Sequence, residues 1–260
     1  MIAAVNIAVE NVRKVYGAGR ERVEAVSGVS FTTAEGEFVA ILGPSGCGKS
    51  TLLMMCAGLE PATAGRIVVY GEEVEAPRAD VGVMFQDSTL LPWKSVMENI
   101  LFPVRVQRRP MAEHEARARD LVRRVGLSGF ERAKPHQLSG GMRQRVAICR
   151  ALVTDPNILL MDEPFSALDA MTRDEMNDVL LDMWEASRRK TGLFVTHSIR
   201  EAVHLADRVL VMTRRPATVV EDVRVPFGRP RHRSDGERPE FNELCAHLRS
   251  LVERRQAAAA

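Results

Sequence analysis

Nine consecutive residues, Gly43, Pro44, Ser45, Gly46, Cys47, Gly48, Lys49, Ser50 and Thr51, concentrate groups suited to holding phosphate. They fit the pattern GxxxxGK[ST], whose glycines let the backbone curl until successive N–H groups face one anion. A helix starting here would add its positive N-terminal end. Lys49 can neutralise the β- and γ-phosphates of a nucleoside triphosphate. The Ser50 hydroxyl can ligate Mg²⁺, and Thr51 continues the donor-rich turn. Cys47 puts a thiol among backbone groups that must close on the ligand. A bulky adduct there should block entry, and bound nucleotide should protect it.

A second cluster is Asp162-Glu163, after the apolar run 158–161 and before Pro164. Acids that emerge at the C-terminal edge of a buried strand stand where open α/β sheets bind ligands. Asp162 can hold Mg²⁺, and Glu163 can polarise a water for attack on the γ-phosphorus. Adjacent acids could also simply cap the next helix. The buried strand before them and the separate phosphate loop favour chemistry. His197 ends another apolar run, 193–196. A lone histidine is more often structural, but one at such a strand end is placed to contact the γ-phosphate. Finally, Leu138, Ser139, Gly140 and Gly141 open a helix that runs to Arg150. A serine and two glycines at a helix start make a second anion-binding turn. A simple phosphate-loop kinase or GTPase needs only one.

These groups require a scaffold that delivers them to strand ends and helix starts. Strands are expected at residues 5–9, 26–31, 37–42 and 66–70, the last entered from Gly65, and again at 157–161, 193–195 and 208–212. Helices are expected at 49–58, across 95–126, from 139, at 170–188 and at 198–205. Strands alternating with helices imply a mostly parallel core sheet. The segment 213–239, rich in Arg and Pro, should wrap the surface, with Arg224–Arg233 solvated or, less favourably, touching anionic lipid. A last helix puts Phe241, Leu244, Leu248 and Leu251 on one stripe for packing onto the domain, and the Ala257–Ala260 tail should fray.

Leu138-Ser139-Gly140-Gly141 resembles the signature motif of ABC transporter ATPases, and other marks of that family occur in order. Tyr16 resembles the aromatic that stacks on adenine, and Gln86 the Gln-loop residue that senses Mg²⁺ and the attacking water. Ser166 to Asp169 resembles the D-loop, and Thr196-His197 the switch histidine. Met142 stands where many relatives carry Gln. The resemblance implies an α/β phosphate-loop core with an N-terminal antiparallel β subdomain and an inserted helical subdomain. The ATPase domain would span 5–225, its helical part about 88–155, with a C-terminal surface segment and helix at 226–260. It implies ATP and Mg²⁺, and a head-to-tail homodimer in which ATP lies between the phosphate loop of one copy and Ser139, Gly140 and Gly141 of the other.

The run Leu90-Leu91-Pro92-Trp93 resembles importers of the nitrate, sulfonate and taurine group, as do 169–173, 203–208 and 213–217. It is either an ordinary buried turn or a wall that receives a permease helix, and the family favours the latter. The implied partners are transmembrane permease subunits and, through them, a solute-binding protein outside the cell membrane. This chain would sit peripherally on the cytoplasmic face. The solute stays open, because specificity would reside in those partners.

Composition agrees. The 260 residues are 45% hydrophobic and 27% charged, ordinary values for a globular protein. A net charge of +2 does not suggest a nucleic-acid partner. No apolar run approaches transmembrane length, and the N-terminus lacks the form of a signal peptide. The scattered cysteines Cys47, Cys56, Cys149 and Cys245 suit reduced thiols rather than a metal or disulfide framework. A soluble ABC ATPase of DNA repair or translation would be expected to show a long coiled-coil insertion, tandem cassettes or a basic groove. A metabolic phosphate-loop kinase would leave Ser139 and His197 unexplained.

Overall fold

A computed structural model describes residues 5–17, 19–185 and 190–257. In chain order the elements are β1 (Val5–Tyr16), β2 (Val23–Ala34), β3 (Phe38–Leu42), α1 (Lys49–Cys56), β4 (Ala64–Val69), β5 (Glu72–Glu73) and β6 (Val81–Met84). Then come α2 (Val96–Ile100), α3 (Phe102–Val106), α4 (Met111–Arg124), α5 (Gly140–Leu152), β7 (Ile158–Asp162) and α6 (Ala170–Glu185). The chain ends with β8 (Thr191–Thr196), α7 (Ile199–Leu205), β9 (Arg208–Met212), β10 (Val219–Arg224) and α8 (Pro239–Ala257). They form two compact units, residues 5–78 with 190–257, and residues 79–185.

The first unit holds an antiparallel sheet ordered β2-β1-β4-β5 and strands ordered β10-β9-β3-β8. In the latter set β3 is parallel to both β8 and β9, and β10 is antiparallel to β9. Every residue of β3 is at most 1% exposed, and Phe38 packs on Phe194 of β8 with ring centroids 5.9 Å apart. A strand buried on both faces reads as a continuous apolar run, which is why it was visible in the sequence. Each large side chain there contributes about 1.5–3 kcal/mol by leaving water, so the loop that follows Leu42 starts from a rigid base.

The second unit pairs β6 parallel with β7 and carries helices α2 to α6. The helical stretch expected across 95–126 is broken into three helices, with Pro103 at the start of α3. Ser95 starts α2 with a capping box closed by Glu98.

Strands β6 and β10 lacked a sequence signal. Gly82 interrupts β6 because a Cβ there would lie 2.7 Å from Pro156 Cγ and 2.8 Å from the Ala151 carbonyl. β10 is an edge strand whose charges blunt its open side. The expectation of solvated arginines at 224–233 needs correction. Arg229 and Arg231 turn inward, onto Asp207 and the carbonyls that end α7. The final helix does pack, with Phe241 and Leu248 buried and α8 against α7 and β9. The last three residues of the helix expected at 170–188, and residues 258–260 of the tail, lie outside the described residues.

Candidate functional site

Gly43 to Thr51 joins the buried end of β3 to the start of α1. Gly46 and Gly48 have φ of 70° and 121°, conformations that side chains rarely adopt. A Cβ on Gly48 would also sit 2.7 Å from the Ala25 carbonyl of β2. The loop is thus closed by glycine at the two points where its backbone turns. Lys49 is 3% exposed, and its Nζ donates to the carbonyls of Gly43 (2.9 Å) and Pro44 (2.8 Å). Ser45 and Gly46 face solvent. Tyr16 ends β1 opposite Val23 of β2, on the hairpin whose Ala25 abuts Gly48. Its ring is about two-fifths exposed and carries Lys14 Nζ 4.9 Å from its centroid.

The register of the first unit brings His197 to the same edge. Leu42 of β3 lies opposite Thr196 of β8, so Gly43 and His197 leave the sheet side by side. His197 is exposed. Behind it, Thr196 Oγ1 donates to Glu201 Oε2 at 2.7 Å and accepts from Ser198 N at 2.9 Å. Ser198 caps α7 by accepting from Glu201 N. These bonds fix the turn that presents the imidazole.

The second unit repeats the device. Met84 of β6 lies opposite Met161 of β7, so Gln86 emerges beside Asp162 and Glu163. Gln86 is exposed, Asp162 is 4% exposed, and Glu163 is half-buried. Glu163 holds φ at 43°, a left-handed conformation that costs a non-glycine residue free energy and is typical of residues held for function. Ser139 caps α5, its Oγ accepting from Met142 N at 3.2 Å, and both Ser139 and Gly140 are exposed. A Cβ on Gly141 would meet Leu168 Cδ2 at 3.2 Å, which joins this turn to the loop ending at Asp169. Asp169 is exposed and accepts from Thr172 N at 3.0 Å, a bond that holds its carboxyl below the usual range. Ser50 of the first unit and Gln86 and Asp162 of the second each carry an oxygen donor of the hard type that Mg²⁺ takes alongside phosphate.

A family model described as ABC transporter matches residues 26–166. The chain belongs to the ABC transporter family. It is the ATP-hydrolysing cassette of such a system. The taurine import ATP-binding protein TauB of Burkholderia pseudomallei is 46% identical over 250 residues, 94% of each chain. The nitrate import ATP-binding protein NrtD of Synechococcus elongatus is 42% identical over 250 residues, 95% of this chain and 91% of that one. A solved structure of the ATP-binding cassette MJ0796, dimeric and bound to ADP and Pi, superposes with a TM-score of 0.77 at 32% identity. It covers 85% of this chain and 100% of that one.

Two contacts in this ABC cassette had no local signal. Arg215 donates to the Gly46 carbonyl at 2.9 Å, and with Arg214 it walls an open pocket of about 560 Å³ beside Pro44 to Cys47. The pairing of β9 with β3, and the backbone bonds of Ala217 to Ala25 and Ser27 of β2, bring that turn to the phosphate loop. The other is the set of bonds from α5 to the segment around Gln86, described below. Cys47 lies within this loop, its side chain turned into the protein. It is 2% exposed, and burial pushes its thiol up against the opposing pull of Lys49. Because the thiolate is the nucleophile, N-ethylmaleimide should modify Cys47 far more slowly than a free thiol at neutral pH. The rate should keep climbing above pH 9.0, the ordinary thiol value. Peptide mapping by mass spectrometry with and without MgATP would check this. Rapid labelling at pH 7 that leaves ATP hydrolysis intact would count against the placement.

Proposed function

We propose that this cassette powers import of a small solute of the nitrate, sulfonate or taurine type, or a related organic compound, through a separate permease. It works as a homodimer on the cytoplasmic face of the cell membrane. The observation that carries this reading is the exposed N-terminal turn of α5 at Ser139 and Gly140, a second anion-seeking helix end beyond the phosphate loop. That turn would contact the γ-phosphate of ATP held by a second copy. The names of the relatives support the solute class. No helix among the described residues is long and apolar enough to cross a membrane.

Gly43 to Thr51 would hold the phosphates, and Tyr16 the adenine. Ser50, Gln86 and Asp162 would hold Mg²⁺, which when bound neutralises phosphate charge. Glu163 would take up proton density from the attacking water, with His197 and Gln86 contacting the γ-phosphate and that water. Asp169 would line the second copy's nucleotide. The ATPase domain would span 5–225, with the helical part at about 88–155. Trp93, 66% exposed, would meet the permease with Leu90 and Leu91. A solute-binding protein would deliver cargo from outside.

Ser139→Arg separates the two anion sites. Binding of fluorescent ATP to one copy should be nearly unchanged, because the phosphate loop acts in cis. Steady-state hydrolysis should fall by roughly 10²–10³-fold, the loss typical of removing a preorganised donor. A purified Ser139→Arg protein with wild-type turnover would sink the proposal.

A further inference from the structure

The segment from Phe85 to Ser95, which contains Gln86 and Trp93, is held at three places by side chains. Gln144 of α5, 2% exposed, donates from Nε2 to the Phe85 carbonyl at 3.4 Å. Arg150, at the other end of α5, forks onto the next stretch. It donates to the Ser88 carbonyl at 2.8 Å, the Thr89 carbonyl at 2.9 Å and Thr89 Oγ1 at 3.0 Å. Thr89 adopts a φ of 43°. The buried Asn99 of α2 accepts from Leu91 N at 2.8 Å and donates to the carbonyls of Leu91, Lys94 and Ser95. α2 itself packs on α5.

We infer that Arg150 is a positioning residue that makes the Gln86 loop and the exposed Trp93 surface one rigid piece with the helix that Ser139 caps. A flexible loop would absorb a displacement of α5. A loop whose carbonyls on both sides of Gln86 are bonded to that helix must travel with it. The left-handed Thr89 supports this, because such a backbone persists only where its surroundings hold it. Arginine suits the task through geometry: its planar fork reaches three acceptors at once, whereas a lysine ammonium reaches fewer at those angles. The inference rests on the proposed roles of Gln86 and of the permease-facing surface. It adds the residue that ties them to the anion-binding turn.

The chain supplies its own probe. It has two tryptophans, Trp93 at 66% exposure and Trp184 at 3%. Acrylamide therefore quenches Trp93 selectively. Arg150→Ala and Arg150→Lys would be compared with Arg117→Ala. The control arginine bonds the Leu152 carbonyl at the end of α5 and Asp155, without touching the loop. Both Arg150 variants should bind fluorescent ATP within about twofold of wild type and show KM near wild type. Their kcat should fall on the order of 10- to 100-fold, as expected when a reacting group is displaced by about an ångström. Trp93 quenching should rise in both, with lysine the milder, and stay at wild-type level in Arg117→Ala.

An Arg150→Ala protein with wild-type melting, quenching and kcat would overturn the inference. So would an equal kcat loss in Arg117→Ala, since the effect would then be general weakening of α5. If Arg150→Ala does not fold, a folded Arg150→Lys with unchanged quenching and kcat decides against it. Absence of ATP hydrolysis in the wild-type chain would instead strike the functional proposal.

Discussion

Glu163→Gln is expected to leave MgATP binding intact and slow hydrolysis by ~10²–10⁴-fold, the contribution of a general base, which is about 3–5 kcal/mol in the barrier. Glutamine keeps the size and reach of glutamate and loses its charge and basicity. It also has no added β-branch to oppose the left-handed backbone at φ 43°, so the turn after β7 should survive. Lys49, Ser50 and Asp162 still offer their cation, hydroxyl and carboxylate. With the γ-phosphate uncleaved, the ligand proposed to join two copies persists, and MgATP should shift the variant to a dimer. Gel filtration with and without MgATP checks this, with wild type plus ATP as the control for weak association. A Glu163→Gln protein that hydrolyses ATP at the wild-type rate would remove Glu163 from the mechanism. One that stays monomeric while its hydrolysis is abolished would separate the chemistry from the proposed dimer.

The chemical groups of this site were legible because each is announced by a local pattern. A buried strand runs into glycines at Gly43, another into acids at Asp162, and a Ser-Gly-Gly turn starts the helix at Ser139. Which of these groups share an edge was not legible. That is decided by register, and no local pattern sets Leu42 opposite Thr196 or Met84 opposite Met161. β6 is too short and too interrupted by Gly82 to announce itself, yet its pairing brings Gln86 beside Asp162. The same holds for Arg150 and Arg215. Their acceptors are backbone carbonyls, which every residue carries, so the sequence gives no hint of the partner. Family resemblance singled out Gln86 and Tyr16 as candidates, and said nothing of what holds them.

Arg231 shows the largest gap between composition and role, and Arg231→Ala should destabilise the fold by about 3–5 kcal/mol, the cost of breaking a buried charged network. Its side chain is 2% exposed. The guanidinium donates to the carbonyls of Val203 (3.1 Å), His204 (3.2 Å) and Ala206 (2.6 Å) at the end of α7, and to the Phe227 carbonyl at 3.0 Å. The last carbonyls of a helix have no partner within it and carry its negative end, so a cation there satisfies both needs. Asp207 lies 3.5 Å away, already bonded to Arg229 and accepting from Phe38 N at the start of β3. The strap after β10 is thus fastened to the strand that feeds the phosphate loop and to the helix that follows His197. At ~2–4 °C per kcal/mol for a chain of this size, the apparent melting point should drop by about 6–20 °C. Arg224→Ala, at an exposed position on edge strand β10, should stay within about 0.5 kcal/mol. Thermal unfolding followed by circular dichroism compares the two. Equal melting points for Arg231→Ala and wild type would mean that the strap is not fastened through Arg231, and would return the C-terminal arginines to the solvated surface.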